Sequence, residues 1–304
     1  MTPLEVILSF DVESHALIDA ARGVHISASV KSACASRVAS ATSWLLDALA
    51  EHEVRATFFV LGEVAENSPE VVKSIHRAGH EVATHGCNHR RVLEMSPDDF
   101  RGDLCRARGL LEQLTGEAVL GYRAPTFSVT RRNPWAIDVL VEQGFLYDSS
   151  IFPVRHDRYG VPEAPRSPFL VRGRESAILE FPPATLRLAG MNLPVGGGGY
   201  FRLFPPTLLR QGLRQIETGC QPAIAMLYFH PWEFDPSQPR LKLRGLRRFR
   251  TYVGMRESRT RLTGLLSEGG RFATAASIAR RLAGSPQTLA SYRLADSQPV
   301  GAFL

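Results

Sequence analysis

Residues 56–84, ATFFVLGEVAENSPEVVKSIHRAGHEVAT, decide the fold. Ala56–Leu61 is a short run rich in β-branched and aromatic residues, which reads as a buried strand. Ser68-Pro69-Glu70 is a helix start, with serine as N-cap and proline at the first helical position. That helix closes at Gly79, and Glu81–Thr84 is the next strand. Strand, helix and strand in one short stretch make a βαβ unit, and such units build a parallel sheet.

The pattern extends in both directions. Glu5–Phe10 (EVILSF) reads as an earlier strand. After it comes a long amphipathic helix over Val30–Glu53, with Val38, Thr42, Leu45, Leu46 and Leu49 on one face. Ser96-Pro97-Asp98-Asp99 repeats the helix start, for a helix running to about Thr115 and ending at Gly116. Gly121–Arg123 reads as a strand and Pro134–Gln143 as a helix ending at Gly144. Further on, Thr207–Glu217 and Arg256–Ser267 read as helices and Ala223–Phe229 as a strand. This alternation predicts an α/β fold closed into a barrel or barrel-like form rather than an open sheet. Residues 150–205 are rich in Pro and Gly, ending in Gly196–Gly199, and predict long loops and short strands. Loops that interrupt a regular fold usually carry function. The expected organisation is one barrel domain over 1–282, with 150–205 as a loop-rich insertion and 235–275 as a C-terminal extension. A polar, unpatterned tail over 283–304 follows.

Composition narrows the function. The 304 residues are 44% hydrophobic and 22% charged, which excludes an intrinsically disordered chain. No apolar run approaches the roughly 18 residues that cross a bilayer. Met1-Thr-Pro-Leu-Glu5 has no basic n-region and Asp11 breaks the first apolar stretch, so the expected location is the cytoplasm. Cys34, Cys87, Cys105 and Cys220 include no CxxC, which argues against a disulfide framework or a cysteine zinc site. The net charge is +6 and the pI about 9.4. Nine Lys/Arg and one acid, Glu257, give residues 240–261 a charge of +8 and leave the rest of the chain at −2. No nucleic-acid motif accompanies that stretch, so nucleic acid is not an expected partner. It suits an anionic membrane surface or an acidic glycan, and equally a solvated basic face.

Four polar clusters fall just after predicted strands: Asp11-Val-Glu13, His85-Gly-Cys-Asn-His89, Arg123-Ala-Pro-Thr-Phe127 and His230-Pro-Trp-Glu233. In a parallel α/β fold those loops share one face, where active sites are built. His85 and His89, with Asp11 or Glu13, are the ligand set of a catalytic divalent metal: two imidazoles, one carboxylate and open positions. Loop histidines satisfied by backbone groups would give the same spacing. His80-Glu81 opens an HExxH-like string, but Thr84 stands where the second histidine is required. Asp11 and Glu13, two residues apart, project to the same side of the strand. Carboxylates that close repel unless one binds metal and the other meets a cation, for which Arg123 is the candidate. One ligand and one general base suit metal-assisted hydrolysis. His230 ends the apolar strand AIAMLYF, as a general acid or a structural cap.

Together these residues resemble the polysaccharide deacetylase superfamily, the group with the NodB homology domain. Phe10-Asp11 resembles its first motif, Thr84-His85 to His89 its second, Arg123-x-Pro125 its third and Leu227-x-x-His230 its fifth. The resemblance extends over about residues 5–275. FDVE, TFFVLG, HEVATHG, GYRAPTFS, YDSSIFP, HDRYG, GGGYFRLFP and YFHPWEFDPSQPR resemble most closely the subgroup that accompanies exosortase-type exopolysaccharide loci. The resemblance implies a distorted (β/α) barrel with long loop insertions. It implies an enzyme that hydrolyses the N-acetyl group of an amino sugar, in an exopolysaccharide or its lipid-linked precursor. His85, His89 and Glu13 would bind a divalent metal, zinc foremost. Asp11 would be the base, Arg123 would hold it in position and His230 would protonate the leaving amine. The backbone amide near Thr126 would stabilise the oxyanion. Many relatives carry a second aspartate at position 12; here it is valine, so the ligand role falls to Glu13, as in the exosortase-associated and allantoinase-like branches. The fourth motif, with its tryptophan, is not evident; Asp148 in YDSS lies where its carboxylate would contribute, as a candidate substrate-binding residue with Thr126. Tyr159, Tyr200 and Trp232 are candidate platforms for pyranose rings. Two other readings are a hydrolase of a small cyclic amide, as in the allantoinase-like branch, and a carbohydrate-binding barrel without activity. The sequence sets no oligomeric state.

Overall fold

The computed structural model describes residues 3–156, 158–284 and 289–294. In chain order β1 (Glu5–Val12) leads to α1 (Ala28–Glu51), β2 (Thr57–Val60), α2 (Gly62–Asn67), α3 (Pro69–Arg77), β3 (Glu81–Thr84) and α4 (Pro97–Thr115). Then come β4 (Gly121–Tyr122), α5 (Trp135–Glu142), β5 (Tyr147–Asp148), β6 (Phe169–Arg172), β7 (Ala177–Glu180), β8 (Thr185–Leu188), β9 (Met191–Pro194) and α6 (Gly198–Leu203). The chain continues with α7 (Pro206–Gly219), β10 (Ile224–Phe229), α8 (Gly245–Tyr252), α9 (Ser258–Ser267), β11 (Arg271–Phe272), α10 (Ala275–Ala283) and β12 (Ala290–Arg293). The helix starts obey the local chemistry. Ser96 and Asp99 form a reciprocal capping box at the head of α4, and Gly116 ends that helix in the left-handed conformation at φ 73°.

The strands β10, β1, β2, β3, β4, β5 and β7 lie side by side in that order, all parallel. The curled sheet comes round on itself. Past β7, Pro183 bridges Met226 of β10, and the Ala184 amide donates to the Met226 carbonyl at 2.8 Å. Gly197 bridges Tyr228 one turn of pleat further along. This is the expected α/β barrel, distorted because closure uses single bridges instead of a full ladder.

Residues alternate between the barrel interior and the helices with a period of two. Ile7, Phe59, Ala83, Tyr147, Leu179, Phe181, Ile224 and Met226 pack together inside. Their neighbours Leu8, Phe10, Phe58, Val82, Leu227 and Phe229 face outward into the layer covered by helices. The floor is closed by α10. Its first amides, of Ala275 and Ala276, donate to Thr57 Oγ1 and Glu81 Oε2, both at 2.9 Å. A carboxylate is favoured there by the positive end of the helix dipole.

Some expectations are corrected. α2, α6, α8 and α10 lie where no helix is predicted, α6 among them within the stretch expected to be loops and short strands, because all four are short and their apolar periodicity is too brief to register. Residues 290–293, within the predicted loose tail, form β12 and pair in parallel with β6. The rest of that tail, 285–288 and 295–304, lies outside the described residues.

Two glycines separate packing from propensity. A Cβ on Gly121 in β4 would sit 1.9 Å from the ring of Tyr147, which is fully buried and donates its hydroxyl to Glu81 at 2.7 Å. Gly121→Ala should therefore destabilise by at least about 1–3 kcal/mol through overpacking. Gly109, exposed in α4, would place its Cβ in open space. Gly109→Ala should stabilise by up to about 1 kcal/mol through helix propensity. Urea unfolding of both variants checks the pair of signs.

Candidate active site

The site lies at the C-terminal ends of the strands, above the apolar interior. Period two carries Ile7 to Ser9, Asp11 and Glu13, Ala83 to His85, Gly121 to Arg123, and Met226 to Tyr228 and His230. The same alternation that fills the core thus aims these side chains into one throat.

Arg123 is fully buried, and every edge of its guanidinium is used. Nη1 donates to Asp11 Oδ1 at 2.6 Å and to Ser9 Oγ at 3.0 Å. Nη2 donates to Ser149 Oγ at 2.9 Å and Nε to the Ser149 carbonyl at 3.2 Å. The ring of Phe59 lies beneath it, 4.0 Å from the guanidinium carbon. A buried cation is tolerated only with such a complete set of partners. Asp11 is thereby fixed in direction, with Oδ1 spent on Arg123 and Oδ2 turned toward the cleft, 3.9 Å from His230 Nε2.

Beside it, Glu13, His85 and His89 bring one ligand atom each within 4.8 Å of one another. Glu13 Oε2 lies 2.7 Å from His89 Nε2 and 3.9 Å from His85 Nε2. The shorter contact is not aligned as a hydrogen bond, and Glu13 Oε2 is buried without one. His85 Nδ1 lies 2.9 Å from the Arg123 carbonyl, which can only accept. Nδ1 therefore carries the proton and Nε2 turns its lone pair toward Glu13. Burial, opposed by the Asp11 charge, holds the His85 imidazole down at about 4, so it is neutral. Burial also pushes Glu13 upward, but His89, and after it His230, outweigh it and hold the carboxyl at about 2. Two imidazoles and one ionised carboxylate, with an orphaned carboxylate oxygen between them, fit a divalent cation. His89 reaches this position from a left-handed backbone at φ 52°.

His230 faces the same space, its Nε2 3.7 Å from Glu13 Oε1. Behind it, Nδ1 lies 3.5 Å from Glu233 Oε2, and Arg202 donates to Glu233 Oε1 at 3.0 and 3.2 Å. Burial pushes His230 down, but contact with Glu233 and the charges of Glu13, Glu233 and Asp11 hold it up at about 9. The Gly196–Gly199 run makes room for this support: a Cβ on Gly198 would fall 2.1 Å from Glu233 Oε1.

These groups open into a cleft of about 150 Å³. Thr126, Tyr159 and Trp232 line it, as do Phe127 and Tyr228. Thr126 and Phe127 are both held at positive φ, 59° and 49°, a conformation that costs non-glycine residues of order 1–3 kcal/mol each. Two of the predicted residues lie elsewhere. Tyr200 is half-buried on α6 with its ring against Phe204, away from the cleft. Asp148 is buried on the other face of β5. Tyr147 and Ser149 point into the barrel, so Asp148, one residue out of phase, points away. There it stands in register beside Glu180 of β7 and accepts from the Ser149 amide and Ser150 Oγ. Sequence reasoning assigned no role to Glu233, Arg202, Ser9 or Ser149. The signal for the first two was their place in HPWEF and GGGYFRLFP.

Comparison with known proteins finds similar sequences and similar folds. Residues 33–142 match the family model "Polysaccharide deacetylase", and residues 149–280 match a model described as a domain of unknown function, DUF3473. A peptidoglycan-N-acetylglucosamine deacetylase of Bacillus cereus is 34% identical over 106 residues, 34% of this chain and 37% of that protein. A peptidoglycan deacetylase of Helicobacter pylori is 33% identical over 107 residues, 35% and 36% of the two chains. The matched part thus spans little more than a third of these relatives. The crystal structure of a Mycobacterium smegmatis protein, 21% identical, superposes over 98% of both chains with a TM-score of 0.60. That of Puue allantoinase, 17% identical, covers 93% of this chain and 92% of its own with a TM-score of 0.61. Both likenesses concern the fold.

The Asp148–Glu180 pair predicts a pH dependence of stability. Burial holds Asp148 up at about 6, and burial with the Asp148 charge holds Glu180 well above the usual carboxylate range. The folded protein therefore binds more protons than the unfolded chain at neutral pH. The contribution is fully present below the unfolded carboxyl range near pH 4 and is lost as pH rises through the folded values. Glu180→Gln should flatten this loss, by up to about 1.4 kcal/mol per pH unit for one proton. Urea midpoints of both proteins between pH 4 and 8, with wild type falling no faster than the variant, would remove the shared proton.

Proposed function

We propose, from the match of residues 33–142 to the polysaccharide deacetylase model and from the geometry of the site, that the chain is a metal-dependent hydrolase removing N-acetyl groups from amino sugars. One observation carries the reading: Glu13, His85 and His89 converge beside a buried Asp11–Arg123 pair and under His230. A divalent ion held by those three residues would supply Lewis acidity, polarising an amide carbonyl and acidifying water. Asp11, with Oδ2 open to the cleft, accepts the proton of the attacking water. Arg123 keeps that carboxylate from turning and offsets its charge. His230, backed by Glu233 and Arg202, delivers a proton to the amine as the C–N bond breaks. The aromatic wall of Phe127, Tyr159, Tyr228 and Trp232 offers faces for a pyranose ring.

The sequence matches to peptidoglycan deacetylases favour an amino-sugar polymer over a small cyclic amide, although the fold accommodates both. The resemblance of strings such as FDVE and YFHPWEFDPSQPR to the exosortase-associated subgroup supports an exopolysaccharide or its lipid-linked precursor as the substrate, and a donor set of two imidazoles and one carboxylate supports zinc as the metal. We also take residues 1–282 as one unit. β1 lies outside both matched segments yet pairs with β2 on one side and β10 on the other, so neither segment closes a barrel alone.

Acetate release from N-acetylated oligosaccharides, followed with and without a chelator, tests the reading. Asp11→Asn should lower turnover by roughly 10²–10⁴-fold with metal content unchanged. His230→Ala should likewise lose turnover and keep metal. His85→Ala with His89→Ala should lose the metal itself, by elemental analysis, because it removes two of the three donors. Acetate release that survives both chelation and Asp11→Asn would exclude this mechanism.

A further inference from the structure

The basic stretch 240–261 is not uniformly free. Arg259 donates to the Phe234 carbonyl and lies over Trp44, and Arg261 donates to the carbonyls of Phe201 and Phe204. Arg240 lies over the ring of Tyr252. What remains outward is α8. Thr251 sits on its buried side, its carbonyl accepting from Arg202. The opposite side exposes Leu246 (59%) and Phe249 (51%), three residues apart on one face. Arg244, Arg248 and Arg250 flank them and are exposed, as is Arg247, whose Nη1 also donates to the Arg22 carbonyl at 3.3 Å, and no acidic residue occurs between 240 and 256.

We propose that α8 is a docking surface for an anionic lipid bilayer, with Leu246 and Phe249 entering the interface and the arginines meeting headgroup charge. Charge complementarity selects an anionic partner. The two exposed apolar side chains select lipid over a soluble polyanion, which would leave them in water. No helix among the described residues is long and apolar enough to cross a membrane, so the contact is peripheral. The surface adjoins the cleft. Tyr252, at the end of α8, packs edge-on against His15, and His15 stacks on Trp232 of the cleft wall at 4.9 Å. A protein docked through α8 would hold its cleft on the far side of Tyr252 and His15 from the headgroups. The inference rests on α8 and not on the deacetylase reading.

The test is co-sedimentation with vesicles of phosphatidylcholine alone or mixed with phosphatidylglycerol, at low and high salt, using the full chain. Wild type should bind only the anionic vesicles and lose binding as salt screens the arginines. Leu246→Ala with Phe249→Ala should weaken binding roughly tenfold or more, by the loss of two buried apolar side chains. Arg247→Glu, Arg248→Glu and Arg250→Glu together should abolish it. Circular dichroism and acetate release from soluble oligosaccharides should stay as in wild type, which separates a docking defect from a folding or catalytic one. Absence of wild-type binding, or equal binding to neutral vesicles, overturns the proposal. So does full binding by the apolar variant when the charge variant binds nothing, the mark of a polyanion site. A wild-type dimer that the apolar variant dissociates, without vesicle binding, would assign the face to a second copy of the chain.

Discussion

A guanidinium sealed inside a protein must find an anion and a full set of acceptors, and this barrel is organised around one. Arg123 rests on Phe59, reaches Ser9 and Asp11 on β1, and takes both the hydroxyl and the carbonyl of Ser149 beyond β5. It therefore ties together strands on opposite sides of the sheet. Its own carbonyl then orients His85. Removing one partner would leave the other charge buried and unpaired, which is more damaging than removing both. The base and one of the metal-binding imidazoles owe their directions to the same residue.

Around that centre, charges alternate. Asp11 faces Arg123, Glu13 faces two imidazoles, His230 stands between Glu13 and Glu233, and Glu233 is held in turn by Arg202. Each carboxylate has a cation or a donor set on its far side, which is what lets three acidic groups share a water-poor throat. The arrangement turns one atom each of Glu13, His85 and His89 toward one another and leaves Asp11 Oδ2 facing the cleft beside them.

Much of the barrel was legible because short strands and their helix starts obey local rules. Thr57–Val60 is a run of β-branched and aromatic residues, Glu81–Thr84 follows the glycine that closes a helix, and Ser96 with Asp99 is a capping box whose chemistry needs no tertiary context. The clusters after those strands were legible for the same reason, since the chain must bring strand ends to one face. Where sequence reading failed, tertiary phase decided. Asp148 belongs to a string that resembles a motif, yet strand parity turns it out of the barrel and against Glu180. Tyr200 sits on a helix that starts where Gly197 packs against Tyr228 of β10 and Gly198 against Glu233, and no periodicity reveals that. Arg202 and Glu233 are far apart in sequence and meet only once the barrel closes. α8 shows the limit of hydrophobic patterning: its apolar residues face outward, so they mark a surface and not a core.

The most direct test is anomalous diffraction at a zinc or other divalent-metal edge, from crystals of the full chain loaded with that ion. One strong peak bounded by Glu13, His85 and His89, and absent when His85 and His89 are both alanine, is the predicted result. A peak elsewhere, or ordered protein around Glu13 with no peak at all under loading conditions, would contradict the account.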